Sequence, residues 1–193
     1  MITKLASNIT GALCAQAVIE DEDRELYIYG FFVLLSHGFF FVISAIFGIL
    51  FGTLWESIVF YIMFSILRRY AGGFHASRES ICTLCTTIAL FMSSAGISIL
   101  EKSGGIVLPL LMIVLGTVVI SLLSPLDSEE KPLTQNECQY YRRKSLVTVW
   151  VIIVIALGAI AVNVLGLLYA AALCMVLESF LLVMGEAKRL CTS

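Results

Sequence analysis

Charge is what this sequence has least of. Only 13% of its residues are Asp, Glu, Lys or Arg, about half the share of a soluble domain. That leaves too little polar surface to wet a globule, and it excludes a soluble enzyme, a disordered tail and a disulfide scaffold. Positive charge is also scarce at the N-terminus. Residues 1–19 carry Lys4 alone and run into Glu20, Asp21, Glu22 and Asp23, the wrong chemistry for a cleavable secretion signal. Histidine occurs twice, at His37 and His75, and the C-x-x-C formed by Cys82 and Cys85 has no second copy. Structural zinc and thioredoxin-like redox chemistry are disfavoured on that count. No internal repeat, low-complexity tract or second domain is evident.

Apolar residues are abundant. They make up 60% of the 193 positions, with a mean hydropathy of +0.99. Six spans of about 20 residues would use about 120 residues, nearly the whole apolar stock. The expected fold is all-α, a polytopic integral membrane protein. Spans are predicted at Leu26–Leu50, Gly52–Leu67, Ile81–Leu100, Ile106–Leu123, Leu146–Leu165 and Leu167–Met184. The second is short and contains Glu56, so it reads as either a tilted span or a re-entrant element. Residues 1–25 read as an amphipathic segment lying in the interface, with Ile2, Leu5, Ile9 and Leu13 at helical spacing. Residues 26–193 form the transmembrane part, with polar loops at 68–80 and 124–145.

The placement of Lys and Arg gives an orientation. Of the twelve, all but Lys102 fall in the N-terminal segment, these two loops or the C-terminal tail. By the positive-inside rule this predicts six crossings with both termini in the cytoplasm. The six cysteines are expected to be free thiols in such a setting.

The chemistry-bearing residues gather in the two loops. The first reads Arg68-Arg69-Tyr70-Ala71-Gly72-Gly73-Phe74-His75-Ala76-Ser77-Arg78, with Cys82 seven residues after the histidine. A base and a thiol are the minimal set for nucleophilic thiol catalysis, and the arginines supply a positive field that favours a thiolate. On one continuous helix, residues seven apart share a face but lie about 10.5 Å apart along the axis, whereas a hydrogen bond needs roughly 3 Å. A working dyad therefore needs His75 on a bend folded back toward Cys82, and Gly72-Gly73 gives the chain that freedom. Ser77 is a plausible N-cap for the following helix, with Glu79 in its first turn. The bland alternative is that the arginines anchor helices to anionic headgroups. Cys85 reads as a small packed hydrophobe. His37, Glu56 and Glu178 are the ionisable groups inside the apolar runs, where a bonded or paired state is expected. Gly30, Gly38, Gly48 and Gly52 are expected at close helix contacts.

The second loop reads Ser124-Pro125-Leu126-Asp127-Ser128-Glu129-Glu130-Lys131-Pro132-Leu133-Thr134, followed by Tyr140-Tyr141-Arg142-Arg143-Lys144-Ser145. Its basic cluster either sets topology or clasps an acidic substrate segment, for which the arginines suit carboxylates by bidentate geometry.

The string R-R-Y-A-G-G-F-H-A with Cys82 seven residues on, together with S-P-L-D-S-E-E-K-P-L-T and Y-R-R-K-S-L, resembles the accessory gene regulator B family. Those are membrane peptidases that process autoinducing-peptide precursors in Gram-positive bacteria. The resemblance covers essentially the whole chain. It implies that His75 and Cys82 are the catalytic pair and that Arg68 and Gly73 are needed for activity; Arg69, Arg142, Arg143 and Lys144 are read, from their charge, as supporting or substrate-binding residues. It further implies a cysteine endopeptidase in the bacterial cytoplasmic membrane, with its active site on the cytoplasmic side. Such an enzyme releases the C-terminal part of a short propeptide through an acyl-thioester, which an internal Cys or Ser of the propeptide closes to a ring. No metal or organic cofactor is implied. The expected partners are an amphipathic propeptide with an acidic C-terminal segment, the lipid bilayer and a second copy of the chain, with no nucleic acid. Two other functions compete: a small transporter or peptide exporter, and a thiol acyl transferase acting on lipid chains.

Overall fold

A computed structural model describes residues 2–16, 18–73, 79–126 and 134–192, without the side chains of Glu79, Cys191 and Thr192. Among the described residues every regular element is helical. In chain order they are α1 (Ile2–Ala15), α2 (Arg24–Phe51), α3 (Leu54–Ala71), α4 (Glu79–Ser103), α5 (Val107–Leu123), α6 (Gln135–Ala161) and α7 (Leu165–Thr192), with a single 3-10 turn at Asp21–Asp23. The chain divides into two compact units, Met1–Ile43 and Ser44–Ser193.

Four helical stretches are long and apolar enough to cross a membrane: Asp21–Phe51, Ser80–Ser103, Gln135–Ala161 and Leu165–Leu190. The expected all-α membrane fold is therefore present, with four candidate spans among the described residues rather than six. The two remaining predicted spans differ from these four for physical reasons. Helix α5 is apolar throughout, but its 17 residues extend only about 25 Å, against a hydrocarbon core of about 30 Å. Helix α3 has 18 residues, among them Glu56, Ser57, Arg68 and Arg69. Protein covers it instead: Ser57, Phe60, Tyr61, Met63, Phe64, Leu67 and Ala71 are all buried.

In the first unit, α1 forms at the predicted place and buries Ala6 and Thr10, whose hydroxyl donates to the Ala6 carbonyl at 3.0 Å. In the second unit, α7 is the hub and packs against α3, α4, α5 and α6. Leu168, Tyr169, Ala170, Ala171, Ala172, Cys174 and Met175 are all within 1% of full burial. The run of alanines lets neighbouring backbones approach closely, as small residues do where lipid supplies no hydrophobic drive between helices. Gly116 of α5 takes part in the same way, since a Cβ there would lie 2.8 Å from Met175 Cβ. Of the glycines expected at contacts, Gly48 makes one, with Leu54 Cα 2.8 Å from its Cβ position, whereas Gly30 and Gly38 have nothing within 4 Å and Gly52 turns the chain at φ +74°. Outward positions are apolar too: Leu122, Trp55 and Val107 are 75%, 73% and 69% exposed, as lipid-facing side chains should be.

Polar side chains join the C-terminal part of α2 to α3 and α4. Ser44 Oγ donates to the Ser57 carbonyl at 2.8 Å, Ser57 Oγ donates to Ser94 Oγ at 2.9 Å, and Thr53 Oγ1 lies 3.2 Å from Ser57 Oγ. Such bonds between buried hydroxyls satisfy groups that hydrocarbon would leave unpaired.

Candidate functional site

The site is built where α3 ends. Arg68 and Arg69 stand on the last turn of α3 rather than in a loop, because long cationic side chains can lie along a helix end while their heads reach outward. They diverge in environment. Arg69 is exposed, whereas Arg68 is half-buried, with its guanidinium 5.9 Å from the centroid of the Phe64 ring. Gly72 then stops the helix with φ +82°, and its N–H donates to the Arg68 carbonyl at 3.1 Å. Gly73 follows at φ +126° and is buried. Only glycine adopts such angles without strain.

Both glycines also sit against something. A Cβ on Gly72 would meet the Leu126 carbonyl oxygen at 2.5 Å, and the Leu126 N–H donates to the Ala71 carbonyl at 2.9 Å. The start of the second polar segment is thus tied by backbone to the glycine pair of the first, a link that sequence spacing does not reveal. A Cβ on Gly73 would lie 3.2 Å from Arg68 Nη1 and 3.6 Å from the backbone carbonyl carbon of Leu181 on α7. Gly73 is therefore held between the Arg68 side chain and α7.

Cys82 lies in the first described turn of α4 and is half-buried, whereas Cys85 is exposed. Cys14, Cys82, Cys85, Cys138 and Cys174 are free thiols. His75 lies outside the described residues, as do Ser77 and Arg78, and the Glu79 side chain is likewise undescribed. Among the described residues no group of three His, Cys, Asp or Glu is placed to hold a metal ion.

The second basic cluster is helical. Helix α6 begins at Gln135, eleven residues before the predicted span, so Arg142, Arg143 and Lys144 ride on its first turns, all exposed. A capping box explains this early start. The Glu137 N–H donates to Thr134 Oγ1 at 3.4 Å, and the Thr134 N–H donates to Glu137 Oε2 at 3.0 Å. The Thr-x-x-Glu spelling was there to be read. Lys144 Nζ lies 5.6 Å from the centroid of the Tyr140 ring, and Tyr141 meets Tyr70 of α3 at 6.4 Å between centroids. The α6 extension therefore borders the end of α3.

For Glu178 a bonded or paired state is expected, and the structure differs. The side chain on α7 is fully buried, and neither carboxylate oxygen has a hydrogen-bond partner among the described residues.

The family model for Accessory gene regulator B, AgrB, matches residues 2–182. The chain belongs to the AgrB family. Among relatives of this AgrB family member, an AgrB-like protein of Clostridium perfringens (strain SM101) is 24% identical over 152 residues, covering 76% of this chain and 71% of the relative. AgrB-like protein 2 of Clostridium perfringens (strain 13) is 23% identical over the same shares. Protein FsrB of Enterococcus faecalis is 29% identical over 129 residues, 65% of this chain and 52% of FsrB. No solved structure matches the chain. Membership of the AgrB family makes this a quorum-sensing membrane protein.

Proposed function

We propose that this AgrB family member is a cysteine endopeptidase and cyclase of the bacterial cytoplasmic membrane, acting on a short propeptide. The observation that carries the reading is a family match that runs through both polar segments, joined to the setting of Cys82 at the start of α4. The first N–H groups of an α-helix have no intrahelical partners and stabilise negative charge nearby, which supports both a thiolate and an oxyanion there.

The chemistry runs in two acyl transfers. His75 takes the proton of Cys82, and the sulfur attacks a peptide carbonyl of the propeptide. The C–N bond breaks, the proton passes from His75 to the departing amine, and the C-terminal fragment leaves an acyl-thioester on Cys82. An internal thiol or hydroxyl of the propeptide then attacks that thioester, frees Cys82 and closes the ring. Exchanging one thioester for another costs little bond energy, so the protein's task is to position the attacking group and keep water out. The exposed Arg142, Arg143 and Lys144, beside the α3 end with Arg69, suit an acidic C-terminal segment of the propeptide. In this reading α3 and α5 complete six crossings, the glycine pair faces the cytoplasm, and two copies of the chain associate.

The test is cleavage, by the chain in liposomes, of a short propeptide with an internal Cys or Ser and an acidic C-terminal segment. Cys82→Ala and His75→Ala are expected to insert normally and abolish release of the C-terminal fragment, and mass spectrometry should find the acyl group on Cys82. Release that survives Cys82→Ala overturns the reading.

A further inference from the structure

We propose that Cys82 and Cys85 form a peroxide-responsive thiol pair: oxidation of the Cys82 sulfur is captured by Cys85 as a reversible disulfide within α4, and the disulfide stops propeptide cleavage. The inference rests on the peptidase reading for the loss of cleavage, and on the placement of the two thiols alone for the disulfide.

The second thiol is not where its sequence context puts it. Cys85 is expected to pack as a small hydrophobe, yet it is exposed, on the outward side of α4 beside Leu84 and Ile88, which are 60% and 52% exposed. Cys82 is half-buried, and both residues are free thiols. An exposed thiol adds little to packing, so Cys85 needs a chemical reading instead. Both residues lie on the continuous helix Glu79–Ser103. Three residues along such a helix set the Cα atoms about 5 Å apart, inside the window of about 4.4–6.8 Å that a disulfide spans. The Cβ atoms start about 5–6 Å apart and have to close to about 3.5–4.5 Å. The start of α4 is where that adjustment costs least, because the first N–H groups of a helix have no intrahelical bond to lose, and Cys82 belongs to that turn. The Thr86 hydroxyl also donates to the Cys82 carbonyl at 2.9 Å, and the Thr87 hydroxyl to the Thr83 carbonyl at 2.8 Å. Back-bonding of this kind bends a helix.

The chemistry needs one co-reactant, a small peroxide such as hydrogen peroxide. The exposed apolar neighbours of Cys85 favour an oxidant that is small and uncharged. The thiolate that Cys82 presents to a peptide carbonyl is the same species that attacks a peroxide. Its sulfur forms an S–O bond as the O–O bond breaks, and the departing hydroxide takes the proton held by His75 and leaves as water. Cys82 is then a sulfenic acid, oxidised by two electrons. The Cys85 sulfur attacks it: the S–S bond forms, the S–O bond breaks, and the hydroxyl group leaves as a second water with the Cys85 proton. Two thiols and one hydrogen peroxide thus give one disulfide and two waters. A sulfur held in a disulfide cannot attack a carbonyl, so cleavage stops until a thiol reductant opens the bond by exchange. Without Cys85 the sulfenic acid meets more peroxide and goes on to sulfinic acid, which thiols do not reduce. Transient disulfides on the cytoplasmic side serve in this way as redox sensors.

The experiment uses the full chain in liposomes: wild type, Cys85→Ser and Cys82→Ala, each treated with hydrogen peroxide and then with dithiothreitol. Peptide mapping by mass spectrometry reads the state of each sulfur. Release of the C-terminal fragment from a short propeptide with an internal Cys or Ser reads activity. Wild type should lose cleavage as the peptide holding both cysteines becomes lighter by two hydrogens, and dithiothreitol should restore both. Cys85→Ser should cleave like wild type before oxidation. After peroxide it should hold Cys82 as sulfinic or sulfonic acid and stay inactive in dithiothreitol. Peroxide-treated wild type without a Cys82–Cys85 disulfide overturns the inference, as does a disulfide from either residue to Cys138, to any other cysteine or to a second copy. A Cys82–Cys85 disulfide that leaves cleavage intact, equal recovery of wild type and Cys85→Ser, or loss of cleavage in unoxidised Cys85→Ser overturns it too. Should Cys85→Ser fail to insert, Cys85→Ala decides by the same two readouts. Cleavage that survives Cys82→Ala sinks the peptidase reading separately, since the disulfide is read by mass whether or not the chain cuts.

Discussion

The two ends of the α3–α7 pair carry charge in opposite ways. At one end a single cation is half-buried: Arg68 Nη1 lies 3.2 Å from the Cβ position of Gly73. At the other end Glu56 and Glu101, of like sign, converge on Gly166, whose Cβ position lies 2.7 Å from Glu101 Oε1 and 2.8 Å from Glu56 Oε1. Glu101 is exposed, so solvent screens this repulsion. The glycines differ as well. Gly72 is crowded by the backbone of Leu126, which cannot move aside, and Gly166 by two flexible side chains, Glu101 at its carboxylate and Glu56 at both Cγ and Oε1.

That contrast can be broken most forcefully with Gly72→Ala. It places a Cβ 2.5 Å from the Leu126 carbonyl at φ +82°. We expect a loss of about 1–3 kcal/mol from backbone strain alone, read as a lower thermal midpoint, together with loss of propeptide cleavage. Thr134→Ala sharpens the comparison at the same end. Removing the capping box should cost about 1 kcal/mol and fray the first turns of α6, and hydrogen exchange at residues 135–140 measures it. Gly166→Ala at the opposite end should cost less than Gly72→Ala and leave cleavage rates intact, because the carboxylates swing away. Glu101→Gln should have the smallest effect, a gain of about 0.5 kcal/mol or less, seen as a slight rise in thermal midpoint that fades with salt.

Much of the fold was legible because a bilayer makes hydropathy nearly decisive. Every predicted span has a helix at its centre. The boundaries were less legible. Arg68 and Arg69 look like loop residues by charge, yet the helix carries them to its end, and α6 starts early because Thr134 and Glu137 cap it. Hydropathy also cannot tell lipid from protein as the surroundings of a helix, which is why α3, short and polar but buried by its neighbours, was hard to classify. For the site, the glycine pair and Cys82 could be read from local spelling. The approach of Leu181 to Gly73 could not, since it joins residues 108 positions apart, and no periodicity links the end of α3 to α7. The contact between Leu126 and Gly72 was hidden for the same reason.

The central place of α7 bears on biosynthesis. Helices α3 to α6 all leave the ribosome before the helix against which each of them packs. Until α7 is inserted, Gly116 and Gly73 lack the surfaces they close upon. The earlier helices therefore have only one another to pack against, and the Gly73 corner takes its final form only as the α7 segment joins them. The Gly73 corner is thereby the last part of the second unit to close.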